Sequence, residues 1–126
     1  MTEFTVHLVN RPGALATLTE QLADAGIAIE ALAAFGVDGE GMVRLMVNDP
    51  TLTRKILERD EISYEEREVL ITTLPHEPDA VAMMTRSLAD AGANIDAMYL
   101  LRSSAEGLEF AIAVDNHDVA HNTLAV

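Results

Sequence analysis

The chain has 126 residues, 49% of them apolar and none of them cysteine, which fits one ordinary domain or two very small ones and excludes disulfides, thiolate metal sites and a cysteine nucleophile. Eight Lys+Arg against 21 Asp+Glu leave a net charge of −13, and aromatics are only 4%, so the chain repels a phosphate backbone and lacks base-stacking platforms. No apolar run approaches the roughly 18 residues of a membrane span, and no basic-then-apolar leader opens the chain, so a cytoplasmic protein with no membrane or nucleic-acid partner is expected.

Residues 4–9 alternate apolar with mostly polar side chains, as a half-buried strand does. Asn10-Arg11-Pro12-Gly13 reads as a turn, with Pro12 fixing φ and Gly13 relaxing it. A helix is predicted from Pro12 or Gly13 to Ala25, because Leu15, Leu18, Leu22 and Ala25 share one face. Gly26 sits where a left-handed cap would end it. Residues 27–35 predict a second strand, residues 36–41 a turn region with three glycines, and residues 42–47 a third strand. Asp49 or Thr51 caps a short helix through Leu57, and residues 62–67 predict a fourth strand within a charge-rich, solvated edge.

The chain then repeats. Leu22-Ala23-Asp24-Ala25-Gly26 returns as Leu88-Ala89-Asp90-Ala91-Gly92, an offset of 66. Held without gaps, that offset also aligns Pro12 with Pro78, Glu40-Gly41 with Glu106-Gly107, and Asp49 with Asp115. The second copy predicts strands at 69–74, 95–101 and 108–114, a helix with Val81, Met84, Leu88 and Ala91 on one face, and a short helix at 118–124. Two units are expected, residues 1–67 and residues 68–126, the second lacking its last strand. The fold class is α+β: two ferredoxin-like βαββαβ units, each an antiparallel sheet with its helices on one face.

Within that frame, Asn10-Arg11-Pro12-Gly13-Ala14-Leu15 opening a helix and Ala25-Gly26-Ile27-Ala28-Ile29 entering a strand resemble the ACT domain, over nearly the whole chain as a tandem pair. The family consists of small regulatory modules, many of which bind amino acids and control metabolic enzymes. With no room for a catalytic domain, the chain resembles the stand-alone kind that acts in trans on an enzyme or transporter. The resemblance implies an effector site at an interface between ACT units. It is lined by Asn10, Arg11, Pro12, Gly13, Ala14 and Leu15 and by Ile27 and Ala28, with His76 and Asn94 as counterparts in the second copy. A helix N-terminus offers free N–H groups to a carboxylate, Gly13 permits close approach, and the Asn10 amide can meet an ammonium. The copies differ: Ala28 stands where the family often has Asn, and Asp79, which repels an anion, stands in place of Gly13. One site shared between residues 10–15 and Asn94, or two decayed sites, both fit.

Other classes leave less trace. His117 and His121 have helical i, i+4 spacing but no third ligand, so no metal is expected. No nucleophile, base and orienting group form a constellation, so neither enzyme activity nor a cofactor is expected. An interaction module with no ligand stays open, because the second loop is altered. Met42 and Met46 on one face of a strand, with Val43, Leu45 and Val47 on the other, make a sheet apolar on both sides, which predicts a homodimer. Strong acidity with Lys55 as the only lysine suits a halophilic host, and a GC-rich genome would also exchange lysine for arginine.

Overall fold

A computed structural model describes residues 1–125. Val126, the last residue of the expected second unit, lies outside the described residues. The chain divides into two compact units, residues 2–67 in one, and Met1 with the residues from Glu68 onward in the other. The first runs β1 (Thr2–Val9), α1 (Ala14–Asp24), β2 (Ile29–Val37), β3 (Glu40–Val47), α2 (Pro50–Arg59) and β4 (Tyr64–Glu68). The second runs β5 (Leu70–Leu74), α3 (Ala80–Asp90), β6 (Ile95–Ser104), β7 (Gly107–Val114) and α4 (His117–Leu124). The first unit has a four-stranded sheet in the order β2-β3-β1-β4, and the second a three-stranded sheet in the order β5-β7-β6. This is the expected α+β class of paired antiparallel sheets and four helices.

Each core follows from the alternation of its strands. Phe4 and Val6 of β1 and Val43, Leu45 and Val47 of β3 pack with Leu18 and Leu22 of α1 and Ile56 and Leu57 of α2. In the second unit Leu70, Ile112 and Val114 pack with Met84 and Leu88 of α3 and Ala120 of α4. The buried helix faces are narrower than the periodicity predicts: Leu15 and Val81 are 36% and 38% exposed, and Ala25 and Ala91 are exposed. Leu15 and Val81 sit in the first turn of their helices, beside the loops that open them.

The boundaries have local causes. Gly26 and Gly92 take positive φ, and the following N–H of Ile27 or Ala93 returns to Leu22 O or Leu88 O, which closes each helix. Ile27 is therefore a core residue at the helix end, and β2 starts at Ile29 rather than 27. The turn after β2 is two residues, not six: Asp38 and Gly39 both have positive φ, the conformation that joins antiparallel strands tightly, and Val37 pairs with Glu40.

The gapless repeat breaks in β6. Both β2 and β6 carry an irregularity at their start, but β6 carries a second between Leu100 and Arg102. Leu101 is the extra residue, accommodated as a bulge. Beyond it the true offset is 67. Asp49 Oδ1 accepts from Leu52 N at the start of α2, and Asn116 Oδ1 accepts from Val119 N at the start of α4. Asn48 in turn corresponds to Asp115: each clasps the backbone N–H of Ala28 or Asn94 through its side-chain oxygen.

Polar chemistry also enters the first sheet where alternation reads as surface. Glu3 is fully buried, and its Oε1 accepts from Arg44 Nη1 at 2.8 Å and from Thr5 Oγ1 at 3.5 Å. The face of β3 opposite the helices is therefore Met42, Arg44 and Met46, not a plain apolar surface.

Candidate functional site

The turn after β1 is held by its backbone. Asn10 N donates to Gly39 O, Arg11 N to Val9 O, and Ala14 N to Arg11 O. Gly13 caps α1 with φ 89° and has no side chain to accept from the first-turn N–H groups. Such groups carry the positive end of the helix dipole. Helices α2 and α4, by contrast, are closed by Asp49 and Asn116.

Beneath the first turn of α1 lies an open cleft of about 240 Å³. Asn10, Arg11, Ala14 and Leu15 form its rim. Its floor is the helix-side face of the sheet, where Leu8 lies opposite Gly41, Gly36 opposite Gly41, and Ala34 opposite Val43. The small residues make the space. A Cβ at Gly36 would collide with the amide nitrogen of Asn10, so Gly36 is what lets that side chain lie across the strand.

The second unit carries larger side chains at the corresponding positions. Leu74 lies opposite Leu108, Ser103 opposite Leu108, and Leu100 opposite Phe110. Where the first unit has Ala34, Gly36, Gly41 and Val43, the second has Leu100, Ser103, Leu108 and Phe110. His76, the counterpart of Asn10, points its Nε2–H at the Ser104 carbonyl at 2.5 Å. Asp79 opens α3 and makes no cap hydrogen bond.

Of the expected site residues, Asn10, Arg11, Ala14 and Leu15 converge on this cleft. Pro12 and Gly13 line a second space of about 410 Å³ on the other flank of α1, with Thr17, Gln21 and Asp60. The Asp60 carboxylate accepts from Gln21 Nε2 at 2.9 Å, and hydrogen bonding from Arg59 holds its pKa below the usual range, so this flank disfavours an anion. Ile27 is buried in the core. Ala28 N is taken by Asn48 Oδ1 at 2.9 Å. Asn94 and His76 belong to the other unit, and Asn94 Nδ2 donates to Asp96 Oδ1 at 3.0 Å. His117 and His121 stack with ring centroids 6.2 Å apart. Among the described residues no three His, Cys, Asp or Glu side chains gather as metal ligands. Nor is any helix among them long and apolar enough to cross a membrane.

Gly36 and Gly41, expected as turn residues, lie within the strands and line the cleft. The two-residue Asp38-Gly39 turn was the available signal: it forces Gly36 opposite Gly41 on one face.

Comparison with known proteins agrees with this architecture. A protein of Bacteroides thetaiotaomicron of known structure superposes with a TM-score of 0.89 at 26% identity, over 98% of this chain and 85% of that one. The regulatory subunit of aspartate kinase from Thermus thermophilus, in its ligand-free form, superposes at 0.71 with 18% identity, over 98% of this chain and 87% of that one. The same subunit from Thermus flavus superposes at 0.67 with 17% identity, over 98% and 90%. At those identities the likeness to the two kinase subunits is one of fold. No curated protein matches. The ACT domain pair, as a family, matches residues 1–125: the chain belongs to the ACT domain family, as an ACT domain pair.

Proposed function

We propose that this ACT domain pair is a regulatory protein, not an enzyme, which binds an amino acid or similar small carboxylate in the cleft of the first unit and acts on a metabolic enzyme or transporter in trans. The observation that carries the reading is the open cleft under a helix whose first turn has no side-chain cap. The carboxylate meets the first-turn N–H groups and Arg11, and the ammonium meets Asn10 Oδ1. The volume is below the range of about 300–1,000 Å³ typical of drug-sized ligands, which suits a single amino acid. A homodimer, in which a further ACT unit closes the open side, belongs to the same proposal.

Thermal shift against the proteinogenic L-amino acids, in dilute buffer and in molar KCl, tests it. A ligand at 100 times its Kd adds about 2.7 kcal/mol, which moves a domain of this size by several degrees. A hit weakened by Asn10→Ala supports the site, and a hit weakened also by Asn94→Ala supports a site shared between units. Cooperative melting with no shift in either buffer sinks the ligand reading. Light scattering at high salt tests the dimer, and a monomer refutes it.

A second reading has its own support. Leu32, Phe35 and Val37 on the edge strand β2 are 43%, 46% and 58% exposed. Apolar side chains on an unpaired edge suit an interaction module without a ligand, and the absence of any amino-acid shift would favour it.

A further inference from the structure

We infer that the cleft selects an aliphatic amino acid, of the size of valine, leucine, isoleucine or methionine. The inference rests on the ligand reading above and adds the identity of the side chain. Its basis is the floor and walls: Leu8, Ala34, Val43 and Leu15 line the space with Gly36 and Gly41, and the one charged side chain on its lining is Arg11.

Charge decides most of the choice. The chain carries 21 carboxylates, yet none belongs to the lining of this cleft. A lysine or arginine side chain bound there would lose its water and meet no acceptor of opposite charge. An aspartate or glutamate side chain would compete with its own α-carboxylate for Arg11. Burying an unpaired charge is strongly unfavourable, and burying an unpaired hydroxyl is unfavourable to a smaller degree. An alkyl side chain meets neither penalty and gains by leaving water.

Size decides the rest. The floor is low because Ala34 and Gly41 carry at most a methyl group, while Gly36 accommodates the amide of Asn10. An apolar pocket discriminates one methylene by about 10- to 200-fold, so the floor sets an upper limit as well as a preference. Gly41 gives a direct handle on that limit. A Cβ there would lie 3.4 Å from Leu8 O and 3.6 Å from Leu8 Cβ, ordinary contacts that the strand accommodates. Gly41→Ala therefore narrows the floor without moving the backbone.

The experiment is calorimetric titration of the full chain with L-leucine, L-valine, L-serine, L-lysine and L-glutamate, followed by L-leucine and L-alanine on Gly41→Ala. The expected result is leucine or valine binding at least about tenfold tighter than serine, lysine and glutamate. In Gly41→Ala the ratio of leucine to alanine affinity should fall by a similar factor. Serine, lysine or glutamate binding as tightly as the aliphatic ligands overturns the inference and leaves the ligand reading standing. If none of the five binds, the inference falls, and the ligand reading stands or falls with the thermal-shift screen of all the proteinogenic amino acids. A methyl NMR titration of the unaltered chain with leucine covers the case in which the variant fails to fold. Methyl shifts at Leu8, Leu15 and Val43 support the assignment, and shifts confined to Leu74 and Val81 refute it.

Discussion

The two units share a skeleton and differ in what lies on it. Helices α1 and α3 bury equivalent pairs, Leu18 and Leu22 against Met84 and Leu88, and both leave their first-turn apolar residue part exposed. The strands beneath them do not match in volume. The first unit sets Ala34, Gly36 and Gly41 under the helix start, and the second sets Leu100, Ser103 and Leu108 there. The positions that define the fold are therefore separable from those that line a cleft, and a second copy can keep the first set while changing the second.

Exchanging residues between the units sharpens that comparison. The largest effect is expected at the buried ion pair. With the offsets of 66 and 67, Glu3 and Arg44 correspond to Val69 and Ala111, so one unit has a charge pair where the other is apolar. Arg44→Ala alone takes the guanidinium from buried Glu3 and should cost about 3 kcal/mol, whereas Glu3→Val with Arg44→Ala should recover most of it. Urea unfolding of both variants measures this; equal losses in the single and double variants would refute it. Next, Ala34→Leu with Gly41→Leu gives the first unit the second unit's residues at two floor positions and leaves Gly36 beneath Asn10. Any amino-acid binding should drop at least about tenfold, read by calorimetry.

Smaller effects separate the helix starts. Asp49→Ala and Asn116→Ala each remove a side-chain cap and should cost about 1 kcal/mol. Asp79→Ala removes none and should stay within about 0.5 kcal/mol in thermal melts. The smallest effect is pH-dependent. Arg54 donates to both oxygens of Glu66 at 2.7 and 2.6 Å, and this hydrogen bonding holds the Glu66 carboxyl below its ordinary pKa. A lowered folded-state pKa gives stability that is present above the unfolded pKa and is lost as pH falls through the folded one. The second unit has His121 at the place of Arg54. Acid sensitivity should therefore fall mainly on the first unit and shrink in Arg54→Met, followed by the Glu66 carboxyl resonance and the urea midpoint below the ordinary carboxylate range.

Element order and the Asn10-to-Leu15 loop were legible because Pro12, Gly13, Gly26 and Gly92 punctuate them and Leu18 and Leu22 keep helical spacing. The cleft was not. At a constant offset of 66, Gly41 falls on Gly107 and the two floors look alike. The bulge at Leu101 moves the partner of Gly41 to Leu108, and a one-residue shift exchanges the faces of a strand. Glu3 was hidden for a related reason. Alternation separates the two sides of a sheet but does not say which polar side chain will be enclosed, and that depends on Arg44, 41 residues away in the chain.

The bare start of α1 has a consequence for the protein's lifetime. A helix left unfinished at its first turn is a weak place, from which local opening begins and proteases gain entry. An occupant that completes the turn raises the cost of that opening in proportion to the logarithm of its own concentration. If the proposed ligand is that occupant, amide exchange in residues 14–17 would slow on saturation, and the steady-state amount of the protein in a cell would rise and fall with the supply of the ligand.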